Sequence, residues 1–243
     1  MIPYFFCNFK KIFKFIYDFP LIFPKTWYTF FMSMIYLSKT ASPVLIQCIR
    51  TLGHSIKLLP VTCRTYDPVS SHPDLYMCSL GPGRRVFFGC PEKLGYAYPQ
   101  NIIYNATCTG RFFIHNLKFT DPLLLEAASS MEQIHVSQGY TKCNMVVIDE
   151  TSVITSDEGI FRACRDRLNV LLIRPGHVKL RRFPYGFLGG ASGRVGETIL
   201  FNGDLSAHPD YQPIKSFVRA RGLDLIFFKE YELEDIGSII EDI

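Results

Sequence analysis

The chain lacks most of the signatures that would assign it a chemistry at first reading. Its eight cysteines contain no C-x-x-C and no Cys/His ligand spacing. That argues against a zinc site or a disulfide framework, and for reduced thiols in a cytoplasmic setting. An excess of charge of one sign is also missing from the body. Lysine plus arginine number 26 and aspartate plus glutamate 22. Residues 1–33 hold Lys10, Lys11, Lys14 and Lys25 against Asp18, so the rest is close to neutral and carries no electrostatic footprint for nucleic acid. No apolar run reaches the ~18 uninterrupted residues of a membrane span. After Met34 there is no linker and no low-complexity stretch. Nothing in the sequence points to a cofactor or a metal.

What is present is an α/β pattern written about five times. In the clearest unit Asn144–Ile148 leads through Asp149–Ser152 into Val153–Thr155. A helical spacing follows (Ile160, Phe161, Cys164, Leu168), then the strand Val170–Ile173. The last unit repeats this with Thr198–Phe201, a helix through Ile214, Phe217 and Val218 ending at Gly222, and Leu225–Phe228. Arg111 to Val136 is a third unit. Tyr76 to Tyr104 is a weaker one with a poor helix, and Met34 to Val61 supplies strand, helix and strand without an evident hairpin. Hairpin-bearing units favour closure into a ring over an open doubly wound sheet. The hairpin strands starting near Tyr76, Asn105, Asn144 and Gly190 are then expected to surround one axis. Ser42, Pro43 and Gly53 read as cap, first position and stop of a helix.

Residues 1–33 stand apart, with 13 aromatics against 22 in the remainder. Three readings compete: an upstream stretch that is not native sequence, with Met34 as the start; an interfacial or membrane segment, the only route to membrane contact; and a cleaved signal.

Several polar segments carry candidate chemistry. Ser70-Ser-His72-Pro-Asp74 recurs as Ser206-Ala-His208-Pro-Asp210. A turn explains the second copy, which precedes a helix. The first precedes a strand, where His72 and Asp74 can face a ligand. His115 and Asn116 end a strand, with loop-satisfied polar groups as the plain alternative. Lys142-Cys143-Asn144 enters a buried strand. A lysine beside Cys143 is what a lowered thiol pKa needs, whereas an inert core cysteine is the commoner fate. The Gly189-Gly190-Ala-Ser192-Gly193 stretch lacks the Lys-Ser/Thr ending and following helix of a phosphate loop, so close backbone approach is the better account.

Together these segments resemble an uncharacterised bacterial family with the guanidino-group-modifying enzyme, or pentein, fold, over Met34 to Ile240. The resemblance rests on residues 66–74, 114–116, 138–144, 189–193 and 203–210. It implies five αβ units about a pseudo-fivefold axis, a domain over 34–243, and an axial site. In that class a cysteine attacks a guanidinium carbon, a histidine serves as acid/base and carboxylates grip the cation. Other members are noncatalytic, a ribosome anti-association factor among them. Asp74 falls at the place of a gripping carboxylate. Ala191, Ser192 and Gly193 follow Gly189-Gly190 where the enzymes have their cysteine, and the catalytic histidine falls near Tyr140. The expected site is therefore noncanonical, with Cys143, His115 and Asp74 as catalytic candidates. His72, Asp74, Asn116, Lys142, Asn144, Gly189, Gly190 and Ser192 are the expected ligand contacts. Either a small guanidino or amino-acid-like compound is bound or modified there, or the chain is a noncatalytic interaction module.

Overall fold

The computed structural model describes residues 33–243, which lie in one compact unit. The expectations for the aromatic N-terminal segment lie, but for Ser33, outside the described residues. No helix among the described residues is long and apolar enough to cross a membrane.

The strands form five small sheets. β1 (Met34–Ser38) lies between β14 (Ile240–Asp242), antiparallel to it, and β2 (Ser55–Leu59), parallel to it. β3 (Met77–Ser79) pairs antiparallel with β4 (Val86–Phe88). The next three sheets share one plan, an antiparallel hairpin followed by a third, parallel strand. They are β5 (Thr107–Cys108), β6 (Phe112–His115) and β7 (Glu132–His135); β8 (Met145–Asp149), β9 (Ser152–Thr155) and β10 (Asn169–Leu172); and β11 (Ser192–Val195), β12 (Thr198–Phe201) and β13 (Asp224–Ile226). A helix joins the second strand to the third in each, because parallel neighbours need a crossover. The first sheet follows the same plan once β14 is counted. The missing hairpin strand of the Met34–Val61 unit comes from the other end of the chain. The Tyr76–Tyr104 unit keeps only its hairpin, and a 3₁₀ turn at Pro91–Lys93 stands where the others have a helix.

Local chemistry accounts for the helices. α1 (Pro43–Thr51) starts at Ser42, whose hydroxyl accepts from the Val44 amide at 3.2 Å. It buries Leu45 and Ile49 and stops at Gly53, φ 91°. α2 (Pro122–Ala127) is capped by Asp121, which accepts from the amides of Leu123 and Leu124. α3 is the single turn Thr141–Asn144. α4 (Glu158–Cys164) is capped by Asp157, at 2.8 Å from the Ile160 amide. α5 (Tyr211–Arg219) follows Asp210, whose carboxylate holds Arg174 rather than the helix start. Ile154, Phe201, Ile214 and Val218 meet in the largest apolar cluster.

The sheets are not joined by hydrogen-bonded ladders, so no closed barrel forms among the described residues. Their first strands nevertheless pack on one another in sequence. β14 meets β3, β3 meets β5, β5 meets β8, β8 meets β11, and β11 meets β14. This series of contacts closes on itself. The residues just before these strands are therefore brought together from all parts of the chain.

Candidate functional site

Five segments converge there, each running into one of the packed strands. Pro73–Leu75 is a 3₁₀ turn ahead of β3, with Asp74 fully buried. Asn105 precedes β5, Lys142 and Cys143 precede β8, Gly189 and Gly190 precede β11, and the Asp235–Ser238 turn precedes β14.

Asp74 is the hub. Its Oδ2 accepts from the Ser238 hydroxyl at 2.7 Å and from the Cys143 thiol at 3.0 Å. Its Oδ1 has no hydrogen-bond partner. The Lys142 ammonium donates to Ser238 Oγ at 3.1 Å, so the hydroxyl relays between cation and carboxyl group. Asn105 ties the pieces together. Its Nδ2 donates to the Asp74 carbonyl at 3.1 Å, and its Oδ1 accepts from the Lys142 amide at 2.9 Å. Asp235 accepts from the Gly237 amide at 2.9 Å and the Phe187 amide at 3.0 Å. His72 Nδ1 stands 3.8 Å from Asp235 Oδ1, too far for a hydrogen bond.

The glycines let backbones meet. A side chain at Gly189 would collide with the carbonyls of Lys142, Cys143 and Met145, and one at Gly190 with the Asp235 carboxylate. Gly237 and Ser238 are consecutive left-handed residues, at φ 71° and 73°. For serine that conformation is strained by on the order of 1 kcal/mol or more. It is held by the Ser238 amide, which donates to the Gly190 carbonyl at 2.7 Å.

Burial dominates the titration of the cluster. It raises Asp74 and moves Asp235 from 3.8 to about 6. It lowers His72 from 6.5 to about 4, so His72 is neutral near pH 7 and forms no ion pair with Asp235. Lys142 is lowered by burial, against the pull of Asp74.

Here two expectations are corrected. Cys143 is not an activated thiolate: burial and the charges of Asp74 and Asp235 push its thiol well above its ordinary value, and Lys142 points to Ser238 instead. His115 does not join Asp74 and Cys143. Its Nδ1 bonds Thr120 Oγ1 at 2.8 Å and its Nε2 the Gly139 carbonyl at 3.2 Å, and burial lowers it to about 4. Asn116 and Asn144 likewise hold loops, through the carbonyls of Ser137 and Tyr140. Ser192 is fully buried, its hydroxyl without a partner. It lines, with Lys142 and Cys108, a chamber of about 40 Å³. The second His-Pro-Asp copy is a turn, with His208 accepting from the Asp210 amide.

Asn105, Asp235 and Ser238 are absent from the sequence-derived candidates. The one written signal was the Asp-Ile-Gly-Ser turn ahead of the last strand. No group of three or more His, Cys, Asp or Glu among the described residues is placed to hold a metal.

Neither a curated protein nor a solved structure matches the chain. A family model does, over residues 84–240, which takes in Asn105, Lys142, Cys143, Gly189, Gly190, Asp235 and Ser238 and leaves His72 and Asp74 just ahead of it. The chain thus belongs to a family of unknown function, DUF6873.

Proposed function

We propose that the protein is a pentein-type ring of five units, and that its axial cluster binds a small ligand through a guanidino, amidino or amino group. The cyclic packing of the first strands supports the ring. The observation that carries the ligand is Asp74. It is fully buried, with Oδ2 shared by two donors and Oδ1 free of any, while Lys142 reaches Oδ2 through one hydroxyl. A buried carboxyl oxygen without a donor is a standing deficit that a cationic N–H group removes.

On this reading the Lys142 ammonium stands in for the ligand's cation, and a planar amidinium displaces it from Ser238 by swinging the flexible lysine aside. Asp235, near half-ionised at pH 6, supplies a second negative charge when the cation arrives. Cys143 donates to Asp74 and is a nucleophile only after Asp74 Oδ2 has taken its proton. Its raised pKa favours binding over turnover.

The test is isothermal titration and thermal shift of the full chain with agmatine, arginine and acetamidine. Binding is expected, abolished by Asp74→Asn and strengthened about tenfold or more by Lys142→Met, which removes the internal competitor. No binding by either the wild type or Lys142→Met would overturn the reading. A noncatalytic interaction module is the second reading, favoured by the mutual saturation of Asn105, Cys143 and Ser238.

A further inference from the structure

Behind the proposed ligand site lies a second reactive pair that the cluster does not use. Cys78 on β3 and Cys108 on β5 are both buried free thiols, with sulfur atoms 3.6 Å apart. The two strands belong to different sheets and are held together just beyond the cysteines. A Cβ on Gly81 would stand 2.5 Å from the Gly110 nitrogen, so the segments that follow the two strands touch backbone to backbone. Cys78 donates to the Ala106 carbonyl at 3.3 Å, which fixes its sulfur on the Cys108 side. Cys108 lines the 40 Å³ chamber together with Lys142, and Gly81–Gly83 form part of its wall. That volume takes about three water-sized molecules, enough for a small hydroperoxide. The hydrogen bond shared with Cys78 and burial push the Cys108 thiol well above its ordinary value, so the reaction draws on a small thiolate fraction and quickens as pH rises.

We propose that Cys78 and Cys108 are a redox modification site, a dithiol that a small hydroperoxide entering the axial chamber oxidises to a disulfide between neighbouring sheets. Closing the 3.6 Å gap to the ~2.05 Å of an S–S bond brings the two sulfur atoms about 1.5 Å closer. The step balances. Cys108 loses its proton, and its sulfur attacks one peroxide oxygen. The O–O bond breaks, and the departing hydroxide takes that proton as water. The Cys78 sulfur then attacks the sulfenic sulfur, the S–O bond breaks, and this hydroxide leaves as water with the Cys78 proton. Two thiols are oxidised and one hydrogen peroxide is reduced to two waters. The site shares the Lys142 side chain with the ligand reading through the chamber wall, but neither Asp74 nor Cys143 takes part.

The test is hydrogen peroxide treatment of the native full chain, alkylation of remaining thiols, and peptide mass spectrometry without reductant. The expected main disulfide joins Cys78 to Cys108, is reversed by dithiothreitol, and leaves Cys143 alkylatable once the chain is unfolded. Cys78→Ser is expected to stop at a sulfenic acid on Cys108, trapped by dimedone. Recovery of both Cys78 and Cys108 as free thiols, while exposed Cys63 and Cys90 oxidise, overturns the proposal whether or not the variant folds.

Discussion

At the scale of single residues, burial of ionisable groups is the dominant physical fact, and its sign differs from group to group. His115 falls from 6.5 to about 4 and His72 does the same, so the folded protein refuses protons that the unfolded chain accepts. Stability from these two is present above pH 6.5 and lost as pH falls to about 4. Asp235, raised from 3.8 to about 6, works the other way, as does Asp74: their contribution is present below 3.8 and lost as pH rises through the folded value. The opposed slopes overlap, so variants resolve them better than the wild-type profile. At about 1.4 kcal/mol per pH unit, His115 accounts for roughly 3 kcal/mol across pH 4 to 6.5. His115→Gln is expected to remove about that much upward slope from urea-unfolding stability against pH, and Asp235→Asn to steepen it. Profiles parallel to wild type in both variants would contradict this assignment of charge states.

At the scale of elements, the seams between sheets depend on glycine. A Cβ on Gly193, in β11, would run into the Ile239 carbonyl beside β14. A backbone atom cannot rotate away, so Gly193→Ala is expected to destabilise by about 2–3 kcal/mol, or roughly 5–10 °C in melting temperature. Gly159→Ala in α4 meets only the movable Asp157 carboxylate, at 3.0 Å, and gains helix propensity. It is expected to stay within about 1 kcal/mol of wild type by the same calorimetry. This level is also where the sequence was most legible. The cap at Ser42 and the strand Thr198–Phe201 follow from local chemistry and are found in place. Legibility ended where a partner was distant. β1 finds its hairpin strand about 200 residues away, and no local pattern announces it. The candidate site divides along the same line. Asp74, Lys142, Cys143 and Gly189-Gly190 were visible as polar or glycine breaks before apolar strands. His115 was as visible, as a polar residue ending a strand, yet its ring is spent on Thr120 and Gly139. Ser238 escaped because its role rests on a left-handed backbone that serine does not advertise.

At the scale of the whole molecule, closure draws on both ends of the described residues. Ser33 already belongs to the fold: its hydroxyl bonds Glu241 at 2.8 Å and His54 at 2.7 Å, and its carbonyl accepts from the Ser55 amide. A chain cut to residues 33–243 keeps every contact among the first strands and is expected to melt cooperatively within a few degrees of the full protein. Removing residues 239–243 is a different operation. It deletes β14, the antiparallel partner of β1 and the strand that packs between β3 and β11. It also takes out Ile239 and Ile240, each 2 % exposed, and the Asp242 carboxylate that accepts from the Val86 amide at 3.0 Å. Two buried isoleucines are worth about 2–5 kcal/mol each, against a total stability of roughly 5–15 kcal/mol. Five residues therefore carry a share of stability out of proportion to their number. Their loss is expected to abolish the cooperative melt by circular dichroism, rather than fray a single edge. A truncated chain that still unfolds in one transition near the wild-type temperature would mean that the strand contacts do not act as a closed ring, and each sheet would then have to be stable on its own helix. That alternative is hard to reconcile with a two-stranded β3–β4 sheet that has no helix of its own and can persist only by leaning on its neighbours.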